Sequence, residues 1–277
     1  MGLRFAGVRR KTEFSPNHVG NDLEIITLTG DVLQHEGNAV EWFTEGQTTP
    51  DCSRYDLVFS MAQGPEGNRS LMMSILHGGY IINSPESVMN CYRVSLVRQL
   101  LMNDIPFPKS EVVATGSEED ITSISFASHK RWVKRGDVHA VHKEDVALVY
   151  SEQEKLNVLR EFSRRGIQYA IVQEHLDGDT VKFYAVRESE FFHWYYLNGL
   201  LHTPFSEQRL IELAHASAEV LGLYVYGGDA IVGSDGSITI IDINDWPSFA
   251  PVRNEASRHI AQLLIRKAEE HVHQLQY

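Results

Sequence analysis

The sequence predicts an α/β (α+β) protein in which a small N-terminal α/β lobe with a mainly parallel sheet precedes two further strand-rich lobes. Three observations lead there. Over residues 1–88 short apolar runs alternate with helix-like stretches, the pattern of a parallel sheet with crossover helices. Beyond Pro85, clear helix signals are separated by strand candidates. Near the C-terminus, two apolar runs flank the turn Gly233-Ser234-Asp235-Gly236, a β-hairpin signature. At 277 residues the chain can bury a substantial core spread over two or three lobes. The expected divisions are 1–88, 89–172 and 173–277.

In the first lobe Leu3–Val8 is the opening strand. Asn21–His35 carries Leu23, Ile25, Ile26 and Leu28, which fit neither period cleanly, and a helix is the favoured reading. Ala39–Phe43 and Tyr55–Met61 read as strands, Ser70–His77 as a helix stopped by Gly78-Gly79, and Tyr80–Ile82 as a strand. A single helix is then expected from Pro85 to Asn103, with Val88, Tyr92, Leu96 and Leu100 on one face and Ile105-Pro106-Phe107-Pro108 ending it. Glu111–Ala114 is a strand and Ser117–Phe126 a helix or loop. Arg131–Lys134 and Val146–Tyr150 are strands bracketing a charged loop with histidines, and Ser151–Arg165 is an amphipathic helix. In the third lobe, strands Ala170–Leu176 and Val181–Val186 surround Asp177-Gly178-Asp179, and Phe191–Leu197 is an aromatic strand. Ser206–Leu221 is a helix with Ser206 as N-cap and Gly222 as its stop, and Asn254–His273 is a long final helix.

Composition narrows the function classes. The formal net charge of −12 argues against nucleic acid or an anionic membrane as a general partner. Cys52 and Cys91 are too few for a disulfide scaffold and fit a reducing cytosol. Arg9, Arg10 and Lys11 are followed by no apolar h-region, and no run approaches membrane-spanning length. A cytoplasmic location without signal peptide or transmembrane helix is the expectation.

Chemistry concentrates in the hairpin. Asp229 lies on its first strand, and Asp242 and Asn244 lie two apart on the second, where period-two geometry aims both at one face. Two carboxylates and an amide oxygen among Ile and Val suit a hard cation such as Mg²⁺. The competing reading is a plain strand end running into the turn before Pro247. Against it, carboxylates beside the alternately buried positions of Ile240–Asn244 are costly without a partner. Lys134, on a strand, is either a solvated edge charge or a phosphate contact. The strand Ile171–Leu176 is either a plain strand end or a surface presented to a nucleobase, and Lys182 is either surface charge or a second phosphate ligand. Phe191, Phe192, Trp194, Tyr195 and Tyr196 read as core rather than as a stacking surface. Trp246 and Phe249 would seat the Pro247 turn. His259, His271 and His273 read as solvated. Arg253 and Asn254 follow the hairpin closely in sequence and could reach an acceptor substrate.

The order of these features (a lysine strand, a loop, a helix, a Gln-Glu strand, a second lysine strand, a helix, then Asp…Asp-x-Asn) resembles the ATP-grasp superfamily over residues 84–270. The likeness is most specific at Gly228-Asp229-Ala230 and Ile241–Pro247, and the first lobe resembles the small α/β domain that precedes such a core. The resemblance implies two lobes clasping ATP with one or two Mg²⁺ ions, Mn²⁺ being an allowed substitute. It assigns Lys134 to the α/β-phosphates, Gln173, Glu174 and Leu176 to adenine, and Asp179 to the ribose hydroxyls. Lys182 would face the transferred phosphate or the acceptor, and Asp229, Asp242 and Asn244 would hold the metal.

Departures fall on the same map. Many members carry Glu where this chain has Asp242, and the early ATP-binding lysine is either replaced by Arg93 or absent. The loop Arg135–Asp145 has one glycine and two histidines, unlike a Gly-rich lid. The superfamily, including the ribosomal-protein glutamyl ligases, implies an ADP-forming carboxylate–amine ligase acting on a small-molecule or peptide acceptor. Inositol 1,3,4-trisphosphate 5/6-kinases are locally similar at Asp242-Ile243-Asn244, Gln173-Glu174, Lys182 and the lid histidine, His142, which makes a small-molecule kinase the alternative. A non-catalytic ATP-binding protein is the third reading. Such enzymes often form homodimers, and nothing in the sequence marks an interface.

Overall fold

The computed structural model describes residues 2–15, 19–116, 129–138, 142–199 and 201–274. The expected helix or loop at Ser117–Phe126, and His139, lie outside them.

The first sheet is parallel, in the order β2-β1-β3-β4, built from β1 (Arg4–Arg9), β2 (Ala39–Thr44), β3 (Leu57–Ser60) and β4 (Ile81–Ile82). Between β1 and β2 runs α1 (Val19–His35), and between β3 and β4 runs α2 (Pro65–Ile75). The irregular apolar pattern of α1 has a packing cause. Trp42, on β2, lays its indole against Gly7 and Gly30, and a β-carbon at either glycine would overlap the ring. α1 therefore meets the sheet through a glycine as well as through Ile25, Ile26 and Leu33. α2 begins five residues before the expected helix, with Pro65 in its first turn and Gly64 as N-cap.

The helix expected over 85–103 is broken in two, α3 (Pro85–Asn90) and α4 (Arg93–Met102). Tyr92 between them is extended (φ −63°, ψ 136°), and its hydroxyl donates to the Gln63 carbonyl at 2.7 Å. No proline or glycine marks this break. It is set by a tertiary contact, and it makes Arg93 the first residue of α4.

A second, antiparallel sheet follows in the order β5-β8-β6-β7, from β5 (Ser110–Ala114), β6 (Arg131–Arg135), β7 (Val146–Val149) and β8 (Tyr169–Glu174). α5 (Glu152–Arg164) packs on it through Leu159 and Phe162, and the Ser151 hydroxyl caps it by accepting from the Glu154 amide. The third sheet, also antiparallel, has the order β10-β9-β11-β12: β9 (Asp179–Val186), β10 (Phe192–Asn198), β11 (Val225–Val232) and β12 (Ile238–Asp245). α6 (Glu207–Leu221) starts at Ser206 and stops at Gly222, whose φ of 77° is the left-handed conformation a glycine stop supplies. α7 (Arg253–Gln274) returns to pack on α1, joining Ile260, Ala261 and Leu264 to the core that holds Ile25, Ile26 and Leu33.

Phe192, Trp194 and Tyr196 pack under the third sheet beside α6, as expected of core aromatics. Two histidines expected to be solvated have partners: the His259 ring bonds the Ser189 hydroxyl at 2.9 Å, and His271 lies against Tyr80 at 5.0 Å. Among the described residues no helix is long and apolar enough to cross a membrane.

Candidate functional site

A cleft of about 440 Å³ opens between the second and third sheets. One wall carries Trp132 and Lys134 of β6 and the segment Gln173–Gly178, and the other carries Thr180, Asp229, Ile241 and Asp242, with Arg93 at the floor. The expected Lys134, Gln173, Glu174, Leu176, Asp229 and Asp242 are thereby brought together.

Strand register explains the acidic wall. Tyr195 pairs with Lys182, Lys182 with Asp229, and Asp229 with Asp242, so four side chains form one row across all four strands. The next row is His193, Tyr184, Gly227 and Asn244. The register shifts after Asp229, leaving Ile241 as an extra residue on β12. That bulge lets the consecutive residues Ile241 and Asp242 both line the cleft, which simple alternation forbids.

Asp229 and Asp242 therefore face each other as a like-charged cross-strand pair, an arrangement that calls for a cation. Lys182 supplies one, its Nζ 2.9 Å from Asp229 Oδ1. Desolvation raises the Asp229 pKa and Asp242 adds to the rise, while the Lys182 charge opposes both. Burial pulls the Lys182 ammonium down, but Asp229 and Asp242 outweigh it and hold its pKa above the ordinary lysine value. Among the described residues no group of three His, Cys, Asp or Glu is built to hold a metal. The donor set here is two carboxylates with the Asn244 amide in the adjacent row, and its oxygen-only chemistry fits Mg²⁺ rather than a softer metal.

The opposite wall sets the half-buried Lys134 against the buried Gln173. Lys134 Nζ donates to Gln173 Oε1 at 2.7 Å, and Gln173 Nε2 donates to the Ser110 hydroxyl at 3.0 Å, which fixes the amide orientation. Burial and the neighbouring Arg93 guanidinium push the Lys134 pKa down to about 8. Arg93 is 7% exposed, and its Nε and Nη1 find no hydrogen-bond partner in the protein. Burial lowers its pKa, and Asp242 and Asp145 oppose the shift. A buried guanidinium with two unused donors is equipped to receive an anion.

Lys182 and Asn244 sit in the rows beside Asp229 and Asp242 without lining the cleft, and three further expected residues lie elsewhere. Asp179 turns its carboxylate away from the cleft, accepting from the Thr203 amide at 2.7 Å and the Leu201 amide at 3.4 Å. Alternation along β9 was the available signal: Asp179 and Lys182 are an odd number apart and must face opposite sides of the sheet. His142 caps the short turn Lys143–Asp145 and is not among the cleft-lining residues. Arg253 bonds Glu24 and reaches Asn21 Oδ1 at 2.6 Å, tying α7 to α1 rather than lining the cleft. Conversely, the register brings Tyr195 beside Lys182, and the wall adds Trp132 and Thr180, none of which the motif reading picked out.

The three-sheet arrangement is the ATP-grasp fold. It superposes along nearly its whole length on a RimK-domain ATP-grasp protein from Sphaerobacter thermophilus, with TM-score 0.69, 18% identity and coverage of 95% of this chain and 99% of that one. D-alanine–D-alanine ligase from Bacillus anthracis, solved in complex with ATP, gives TM-score 0.71 at 12% identity with both chains fully covered. The D-cycloserine synthetase DcsG gives 0.70 at 18% identity, covering 96% and 99%. No family sequence profile matches the chain, and no curated protein does.

Proposed function

We propose that the protein is a Mg-ATP-dependent carboxylate–amine ligase that forms ADP. The observation that carries this reading is the facing of two groups across one cleft: Lys134, with the buried Arg93 at the floor, on one side, and Asp229 and Asp242, with Lys182 paired to Asp229, on the other. Adenine would lie against Gln173–Leu176 and Trp132, with the phosphates on Lys134 and Arg93. Asp229, Asp242 and Asn244 would hold Mg²⁺, which when bound neutralises charge on the β- and γ-phosphates.

Lys182 would face the γ-phosphoryl group as it passes to a carboxylate oxygen of the acceptor, releasing ADP and leaving an acyl phosphate. An amine would then attack the acyl carbon, lose its proton, and expel phosphate. The residues catalyse by orientation and charge, without a covalent enzyme intermediate. The balance of charge favours a ligase over a polyphosphate kinase. Among the described residues the cleft lining carries Lys134 and Arg93 as its lysine and arginine, and Lys182 beside it is paired with Asp229, a supply of positive charge suited to ATP rather than to a second phosphorylated substrate as well.

Following ³¹P NMR with Mg-ATP and pooled amino acids, small carboxylates, peptides and inositol phosphates tests this. Free phosphate appearing only when a carboxylate and an amine are both present supports the ligase, and Asp242→Asn should abolish it. A new phosphoester without free phosphate would make the protein a kinase.

A further inference from the structure

The N-terminal lobe contributes no residue to the cleft lining among the described residues. It nevertheless grips the hairpin that carries Asp229, Asp242 and Asn244, and it does so at the hairpin's open end. At the entry to β11, Asn83 accepts from the Tyr224 and Val225 amides at 2.9 and 3.1 Å and donates from Nδ2 to the Val225 carbonyl at 2.7 Å. On β12, Gln63 Nε2 donates to Asp245 Oδ1 at 2.9 Å. Arg10 donates to the Trp246 carbonyl at 3.2 Å. The Arg10 guanidinium is itself fixed, by the Met61 carbonyl at 3.0 Å and Asp22 at 2.9 Å.

These contacts are buried and non-local. Gln63, Asn83 and Asp245 are 7%, 1% and 1% exposed. Trp246 is held at φ 33°, a left-handed backbone that bulky residues avoid, with its indole stacked on Phe59 of β3. The Asp245 pair thus sits one residue from Asn244, and Tyr226, across from Asp245, is three residues from Asp229. The bulge at Ile241 interrupts the ladder between the turn and these strand ends, so the turn alone does not fix the spacing of the acids.

We propose that Arg10, Gln63 and Asn83 are positioning residues for the divalent cation, setting the separation of the two strand ends that present its ligands. The proposal rests on the reading of Asp229, Asp242 and Asn244 as a Mg²⁺ site. Mg²⁺ demands near-ideal octahedral geometry, whereas Ca²⁺ tolerates distortion, so a slackened hairpin penalises Mg²⁺ first.

Calorimetric titration of ADP, in EDTA and at saturating Mg²⁺ or Ca²⁺, separates the possibilities for wild type, Gln63→Leu and Asn83→Asp. If Mg²⁺ does not tighten ADP binding by the wild type, the metal reading itself fails. Given that tightening, each variant should lose about tenfold of it, lose less with Ca²⁺, and keep its metal-free affinity within about twofold. Unchanged tightening overturns the proposal. So does a mere fall in the fraction of binding-competent protein, which a purely structural role would produce. Should thermal unfolding find Gln63→Leu unfolded, Gln63→Asn and Arg10→Lys carry the same cycle with the same outcomes.

Discussion

Lys182 holds Asp229 in a 2.9 Å ion pair across the β9–β11 ladder, directly beside the carboxylate of Asp242. The ammonium thus competes for Asp229 with any divalent cation, and under the proposed function it faces the transferred phosphate. Binding and turnover should separate in Lys182→Met. The concentration of Mg²⁺ needed to tighten ADP binding should fall, and ADP formation from ATP should fall by about 10²-fold, the usual cost of removing one charge-stabilising donor. Calorimetry and a coupled ADP assay read the two effects.

Lys134 gives the site a pH signature. Its pKa is pushed down to about 8, so between there and the ordinary lysine value the unfolded chain keeps a proton that the folded one has lost. The ligand-free protein should therefore gain stability as pH rises through that window, and it bears the full cost of the buried charge below it. A bound phosphate needs the charged form. Nucleotide affinity should fall toward tenfold per pH unit above about 8. Lys134→Arg, charged throughout, should flatten the profile in a fluorescence titration of ADP from neutral to alkaline pH.

Arg93 is a buried charge with unused donors, and its replacement should have opposite effects on stability and binding. Arg93→Met should raise the thermal midpoint of the ligand-free protein, since an apolar side chain of similar length removes a desolvation cost. It should weaken ADP by about 1.5–3 kcal/mol, the range for hydrogen bonds to charged groups. Differential scanning calorimetry with and without ADP measures both.

Asp179 should behave as a structural residue. Asp179→Ala removes the acceptor for the Thr203 and Leu201 amides and should destabilise the fold by about 1–3 kcal/mol. ADP affinity should stay within about twofold of wild type, because the carboxylate faces away from the cleft. An ADP titration beside a denaturant melt distinguishes this from a role at the ribose.

Local chemistry made the hairpin legible. The turn residues and the Asp-x-Asn spacing locate Asp229, Asp242 and Asn244 on neighbouring strands before any coordinates are known, and Ser206 and Gly222 bound α6 as caps should. The rest depended on contacts distant in sequence. Neither the helix break at Tyr92, which delivers Arg93 to the cleft, nor the bulge at Ile241 carries a glycine or proline to announce it. Arg253 is close to β12 along the chain, yet α7 carries it to Glu24 and Asn21 of α1. Asp179 differs in kind, because alternation along β9 itself puts it on the opposite face from Lys182.

The indole of Trp42 resting on Gly7 and Gly30 makes those positions one unit of volume shared among β1, β2 and α1. None of the three can change size alone. A methyl group added at residue 30 must be returned by a smaller side chain at residue 42, or the helix must lift from the sheet and carry Asn21 and Glu24 away from Arg253. Related chains should therefore exchange bulk among these sites in compensating steps, an inheritance written in paired substitutions rather than in any one preserved residue.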